Sequence, residues 1–284
     1  MTGRPGVTLP AAGDAAAFRS FELANWGDGG VATSYSDWFG PLTVQTIPAL
    51  LNAAYVTAGS TVLDVASGPG YVAAAVADLG AGVTGVDFSA AMVAQAKARF
   101  PGIAFQEGDA EALAFPGGQF DAVLMNFGLL HLSRPDVALA EAGRVLRRGG
   151  RLAFTVWAPP AQAIGFGLML GAIERGGAMN VALPPGPPFF RFAEADECRR
   201  AVVDAGLTAV SVETLPLVWR LPSGDALVDA FEQGTGRTRS ILKAQTPAQM
   251  AAIRQAVAET IAPYRSGDGY DLPTPGVLTV AAKP

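Results

Sequence analysis

VLDVASGPGYV, residues 62–72, decides the fold of this 284-residue chain. A run of β-branched and aliphatic residues carries a carboxylate, Asp64, near its end and passes through a glycine turn into a helical stretch. Gly68 and Gly70 let the backbone turn tightly and approach a ligand, and the helix start behind them offers N–H groups with no partner of their own. The turn alone does not choose its ligand, because Gly68-Pro69-Gly70-Tyr71-Val72-Ala73 also fits the G-x-G-x-x-A pattern of nicotinamide-dependent oxidoreductases.

Outward from the turn, short apolar runs alternate with alanine-rich stretches from Thr61 to Trp157. TVLDVA (61–66), GVTGVDF (82–88), IAFQEG (103–108), FDAVLMNF (120–127) and RLAFTVW (151–157) are too apolar to have one wet face, so they read as strands buried on both sides. YVAAAVADLG, SAAMVAQAKARF and RPDVALAEAGRVLRRGG read as the helices between them, the last capped by Gly149 and Gly150. Such alternation predicts a parallel, doubly wound sheet.

The flanks divide the rest of the chain. Residues 1–14, rich in Gly and Pro without periodicity, are expected to be a mobile tail. Residues 15–58 read as a helical preface, broken at Gly27–Gly30 and crowded with aromatics, and 59–158 as the core. Residues 159–194 are an apolar insertion stiffened by proline, including AIGFGLMLGAI (163–173) and LPPGPPFFRF (183–192), a candidate lid or pocket wall. Residues 195–284 are expected to complete the sheet, with TAVSVETLPLVWRL (208–221) and GVLTVAAK (276–283) as strands, a helix over EADECRRAVVDAG, and late helices over 224–234 and 247–262 that join the insertion in the lid.

Three further features sharpen the ligand. Asp87 ends the second strand 17 residues past Gly70, where a carboxylate can accept both hydroxyls of a ribose. GDAEALAF (108–115) follows the third strand and FDAVLMNFGLLHL (120–132) spans the fourth and the turn after it. With Asp64 four residues before Gly68, the ordered set resembles the class I S-adenosylmethionine-dependent methyltransferases, most closely the small-molecule group that includes the ubiquinone/menaquinone C-methyltransferases. The resemblance covers about residues 60–157. It implies a Rossmann-like, doubly wound α/β fold: a seven-stranded, mostly parallel sheet with a helical N-terminal preface and a C-terminal lid insertion. It also implies S-adenosyl-L-methionine as cofactor, with Asp64, Ala66, Gly68 and Gly70 lining its methionine and ribose side and Asp87 holding the ribose hydroxyls. Phe88 would lie against adenine, Asp109 and Ala110 would meet the adenine edge, and Asn126, followed by Phe127, would mark the strand end facing the methyl group. Ala66 departs from the glycine of many relatives.

In the resembled proteins a helical lid closes where Trp26, Tyr35 and Trp38 stand, so these three are substrate-pocket candidates, and the ring of Tyr35 suits a sulfonium cation. His131, the only histidine, follows the fourth strand closely. An imidazole there can take a proton from an acceptor near neutral pH, or merely orient a loop or cofactor. The second role is expected, because no carboxylate at a fixed spacing identifies itself as an orienting partner. Glu22 and Asp37 are weaker candidate bases. Cys198, between Glu197 and Arg199, has no visible activating partner and reads as inert.

Composition bounds the function classes. Half of the residues are hydrophobic and only 16% are charged, which predicts a large apolar interior or pocket. Twenty basic against 25 acidic residues give a net charge of −5, with no basic run, so nucleic acid is not an expected partner. One cysteine and one histidine cannot assemble a Cys/His zinc cluster or an internal disulfide. The N-terminal sequence lacks a signal peptide's apolar core and no apolar run is long enough to cross a bilayer, so a cytoplasmic protein is expected. The expected acceptor is an apolar small molecule, methylated on oxygen, nitrogen or carbon, and a homodimer is left open. Two rival readings are a methyltransferase-fold protein that binds the cofactor without transferring methyl, as a binding module or rearrangement catalyst, and a nicotinamide-dependent oxidoreductase. A protein or nucleic-acid methyltransferase is disfavoured by the acidic balance.

Overall fold

The computed structural model describes residues 12–284. Its helical preface comprises α1 (Ala12–Trp26), α2 (Gly29–Trp38), α3 (Gly40–Thr43) and α4 (Ile47–Ala53). The core follows as β1 (Thr61–Val65), α5 (Tyr71–Asp78), β2 (Gly82–Asp87), α6 (Ala90–Arg99), β3 (Ala104–Glu107), β4 (Phe120–Asn126), α7 (Pro135–Val145) and β5 (Leu146–Trp157). Then come α8 (Ile164–Gly176), α9 (Ala195–Asp204), β6 (Thr208–Leu215), β7 (Val218–Leu221), α10 (Gly224–Gly234), α11 (Arg237–Lys243), α12 (Pro247–Ile261), β8 (Arg265–Ser266), β9 (Gly269–Pro273) and β10 (Gly276–Ala282).

Seven strands form one sheet in the order β3-β2-β1-β4-β5-β10-β6, parallel except for β10, which runs antiparallel between β5 and β6. The order steps outward from β1 in both directions, so the carboxyl ends of β1 and β4 flank a switch point where a crevice opens. The strands alternate with period two between two apolar faces. Val62, Leu124, Ala153 and Val280 meet α4 and α5 on one face, whereas Leu63, Val65, Met125 and Phe154 meet α7 and the C-terminal helices on the other. Burying side chains such as Phe154 and Leu124 completely contributes roughly 1.5–3 kcal/mol each.

The preface is fastened over the carboxyl ends of the strands. Ser89 caps α6 by accepting from the Met92 N–H and also donates to the Trp26 carbonyl at 2.6 Å, tying the end of α1 to the sheet. Ser36 on α2 donates to Gln95 on α6 at 2.8 Å. Trp26, Val31 and Ala32 pack on Met92 beside these bonds. No described helix is long and apolar enough to cross a membrane.

Three local expectations change. The tail assigned to residues 1–14 lies outside the described residues as far as Ala11, and α1 takes in its last three. Gly149 and Gly150 do not cap α7, which ends at Val145. Gly149, at φ 76°, instead donates to the Lys283 carbonyl, and Lys283 donates back to the Gly150 carbonyl, so the pair extends β5 beside β10. TAVSVETLPLVWRL is two strands, because Pro216 lacks the N–H a continuous ladder needs. Its second half, β7, joins β8 and β9 in a small antiparallel sheet.

Candidate functional site

The turn after β1 is held in a conformation most side chains avoid. Ala66, Gly68 and Gly70 all have positive φ, at 53°, 51° and 86°. Gly70 is the N-cap of α5, and a Cβ there would lie 2.7 Å from the ring of Phe105, so both its backbone and its surroundings require glycine. Ala66 keeps its methyl by facing Gly128, where any Cβ would collide with it. Phe127, at the end of β4, is also left-handed at φ 55°. Two of the three positive-φ non-glycine residues described thus flank the crevice, a concentration of backbone strain that functional sites often hold.

Two carboxylates stand beside this turn. Asp64 is buried, with one oxygen accepting from the Ala73 N–H at 3.0 Å and the other, Oδ1, without a hydrogen-bond partner among the described residues. Burial pushes its carboxyl up to about 8, the Ala73 bond opposing. Ser67 Oγ, three residues further on, is likewise buried and without a partner among the described residues. Buried polar atoms seldom lack partners, so this pair suits a ligand group that both donates and accepts, such as an amino acid's ammonium and carboxylate. Asp87 is buried but tethered: Oδ2 accepts from Gly68 N–H at 2.8 Å and Oδ1 from Ser89 N–H at 2.9 Å. Burial raises its carboxyl, with the two backbone bonds and His131 opposing. Each oxygen keeps a second lone pair for a diol.

A cleft lined by Tyr35, Asp64, Ala66, Gly68, Asp87, Phe88, Asn126, Phe127 and His131 runs over these strand ends. It continues, past Asp87 and Phe88, into a groove lined by Arg19, Glu22, Asp109, Ala110 and Glu111. Gly70 turns the chain behind this surface and lines neither. Asp109 accepts from the Glu111 N–H and pairs with Arg19 of α1 at 2.8 Å, which latches the preface to the loop after β3. Asn126 spends its amide on fastening: Oδ1 accepts from Thr46 at 2.8 Å and Thr155 at 2.6 Å, and Nδ2 donates to the Thr43 carbonyl. It holds the preface to the end of β4.

On the far side of the preface lies a cavity of about 330 Å³. Ten aromatic rings line it: Phe18, Trp26, Tyr35, Phe39, Phe127, Trp157, Phe166, Phe189, Phe190 and Phe231. Phe127 stacks on Trp157 at 3.9 Å between centroids, and Phe166 touches the rings of Trp157, Phe189, Phe190 and Phe231. Trp26, Tyr35, Phe127 and His131 line both the cleft and the cavity, so they form the wall between them. Tyr35 stacks on Phe39 and meets Trp26 edge-on; burial pushes its hydroxyl up to about 12, which keeps it neutral at ordinary pH.

Within that wall His131 has a carboxylate partner that no sequence spacing marked. Its Nδ1 lies 3.0 Å from Oε2 of Glu22, which is buried and also accepts the Trp26 indole N–H at 2.9 Å. The orienting carboxylate missing from the sequence is 109 residues away on α1. Asp37 is exposed and lines neither space. Trp38 also lines neither: Tyr35 and Phe39, four residues apart, share the inner face of the preface, and Trp38 falls beside it. There its carbonyl accepts from Trp219 and its indole donates to Gln233. Burial pushes the Cys198 thiol up to about 11, and it donates to the Phe192 carbonyl, a packing role. Phe166 and Phe189 fall in the insertion expected to be a lid or pocket wall, whereas Phe231 and Arg237 carried no motif that could have placed them at the cavity.

Residues 63–154 match the family model described as a methyltransferase domain. A demethylmenaquinone methyltransferase of Beutenbergia cavernae is 44% identical over 115 residues, 40% of this chain and 48% of that one. The chain thus spans about half the length of this curated relative. Among solved structures, the [4+2]-cyclase SpnF aligns with a TM-score of 0.58 at 20% identity, over 99% of both chains. A phospholethanolamine N-methyltransferase of Haemonchus contortus, in complex with phosphomonomethylethanolamine and S-adenosylhomocysteine, aligns with a TM-score of 0.56 at 17% identity, over 94% of this chain and 60% of that one. At such identities the structures speak to the fold alone. The motif order, the strand order and the match over 63–154 agree: this segment is similar to the methyltransferase domains of the class I S-adenosylmethionine-dependent enzymes.

Proposed function

We propose that the chain transfers a methyl group from S-adenosylmethionine to an apolar small molecule seated in the aromatic cavity. The observation that carries this is the shared wall: a polar cleft over the strand ends and an aromatic cavity meet at Trp26, Tyr35, Phe127 and His131. When bound, S-adenosylmethionine supplies a methyl group already activated on a sulfonium. Asp64 and Ser67 would hold its amino-acid end, whose donors and acceptors answer their unpartnered atoms. Ala66, Gly68 and Gly70 shape the backbone that passes it, and Asp87 would accept the ribose hydroxyls. Phe88 would lie on the adenine, with Asp109 and Ala110 at its edge.

The chain's own task is then alignment and exclusion of water. Asn126 pins the preface to β4, Tyr35 presents a neutral hydroxyl and an aromatic face at the junction, and residues 159–192 cover the acceptor side. Calorimetric titration with S-adenosylhomocysteine tests the cleft, and formation of S-adenosylhomocysteine from S-adenosylmethionine with a panel of hydroxylated aromatics tests the transfer. Tight binding without turnover on any acceptor would favour a cofactor-binding module or rearrangement catalyst instead.

A further inference from the structure

The aromatic cavity holds very few polar groups, and they differ in how well they are satisfied. Glu22 and Arg237 are the charged residues in its lining, with His131 between cavity and cleft. Glu22 already accepts two hydrogen bonds, from Trp26 and His131. Arg237 donates one, to the Pro184 carbonyl at 3.0 Å, and among the described residues no carboxylate lies within 4.0 Å of it. Its neighbours behave otherwise: Arg239 pairs with Asp28, and Arg254 with Asp225 and Asp229. Arg237 is half-buried at the edge of this aromatic lining, and an anion brought by a ligand would engage its unspent donors. The rings favour a flat aromatic body, which they can meet face-on or edge-on.

His131 supplies the other polar end. With Nδ1 tied to Glu22, its second nitrogen, Nε2, is left to act as a base. We infer that the acceptor is a planar hydroxyarene carrying an anionic group, its hydroxyl deprotonated by His131 and its anion held by Arg237, and that the methyl lands on the oxygen. This rests on the methyl-transfer reading above. The O–H bond breaks with its proton passing to Nε2, and an oxygen lone pair forms the bond to the methyl carbon. The C–S bond of the sulfonium breaks with its electron pair kept on sulfur, and the imidazolium later returns the proton to water. His131 is thereby the catalytic base, Glu22 a positioning residue that fixes its tautomer, and Arg237 a specificity residue.

Because His131 is the only histidine, its ring nitrogens can be followed by ¹⁵N NMR without assignment. The full chain should show the tautomer protonated on Nδ1, and Glu22→Gln should lose that preference while retaining the far-UV spectrum and S-adenosylhomocysteine affinity. In tryptophan-fluorescence titrations of the S-adenosylhomocysteine complex, 6-hydroxy-2-naphthoate should bind at least about tenfold tighter than 2-naphthol. Arg237→Gln should erase that difference and leave 2-naphthol within twofold of wild type. With S-adenosylmethionine, the hydroxynaphthoate should yield its methyl ether, and His131→Asn should lower kcat about a hundredfold at unchanged cofactor affinity. A proton on Nε2 rather than Nδ1, equal affinity for the two naphthols, equal weakening of both by Arg237→Gln, or a ring-methylated product would overturn the inference. Loss of S-adenosylhomocysteine binding by the wild-type chain would instead overturn the methyl-transfer reading itself, which the calorimetry reports separately.

Discussion

The cleft and the cavity share a wall but are built in opposite ways. The cleft is largely backbone and strand ends: a left-handed turn at 66–70, amide groups gripping Asp87, and carboxylates at the ends of β1 and β2. Its parts lie mostly within one continuous stretch of parallel sheet. The cavity is made of side chains from α1, α2, the turn after β4, α8, the loop before α9, α10 and α11, segments more than 200 residues apart at the extremes. A backbone cleft is rigid and tied to a ligand common to many proteins. A side-chain cavity can be resized one residue at a time without disturbing the sheet.

That contrast predicts different responses to substitution. The largest effect is expected at the turn: Gly70→Val places a branched side chain at φ 86° against Phe105 and should cost about 3 kcal/mol or more in urea unfolding, abolishing S-adenosylhomocysteine binding as well. Gly68 is the milder position, since a Cβ there meets nothing within 4 Å and only its φ of 51° resists.

Asp87→Ala should come next, weakening S-adenosylhomocysteine by about tenfold or more in calorimetry, the scale of hydrogen bonds to a charged acceptor at roughly 1.5–3 kcal/mol. Acceptor-probe fluorescence should hardly change in that variant, and a parallel loss would mean the two spaces are not independent. The converse is Phe189→Ala, which removes a cavity ring beside His131. It should raise the acceptor KM by about tenfold while cofactor affinity stays within twofold.

A pH effect separates the regions further. Asp64 is raised by burial from the ordinary carboxylate range to about 8, and Asp87 is raised in the same sense. Between pH 5 and 8 the folded chain therefore binds more protons at these sites than the unfolded chain, so stability should fall as pH rises. The ligand-free protein should lose about 1–3 kcal/mol across that window in thermal or urea unfolding. Asp64→Asn should flatten much of the slope, and saturating S-adenosylhomocysteine should reduce it by giving Asp64 a donor. A slope that Asp64→Asn leaves intact would place the burden elsewhere. The smallest effect belongs to the latch: Arg19 is half-exposed, so Arg19→Ala should change global stability by under about 1 kcal/mol. It should still raise hydrogen exchange in α1, because the Arg19–Asp109 pair ties that helix to the loop after β3.

The uneven legibility of the two regions has the same origin. Asp64, Gly68, Gly70 and Asp87 could be picked out because a parallel strand, its turn and its helix are contiguous, and the left-handed turn admits few residue types. Trp26 and Tyr35 were nameable as aromatics of the preface, yet their neighbour Trp38 turned outward, a matter of helical phase that crowding alone does not reveal. The split of 208–221 at Pro216 was written in the chain, whereas the use of Gly149 and Gly150 alongside β10 depended on where the C-terminal strand returned.

By itself, then, the sequence determined the doubly wound sheet, the order of its parallel strands' motifs and the acids beside the glycine turn, since each follows from periodicity and turn chemistry within a few tens of residues. Only the tertiary structure decided that Glu22 meets His131, that Arg237 lines an aromatic cavity with no carboxylate partner among the described residues, and that four residues wall the cleft from the cavity. Those contacts join segments far apart in the chain, and a contact closed by packing leaves no spacing for the sequence to record.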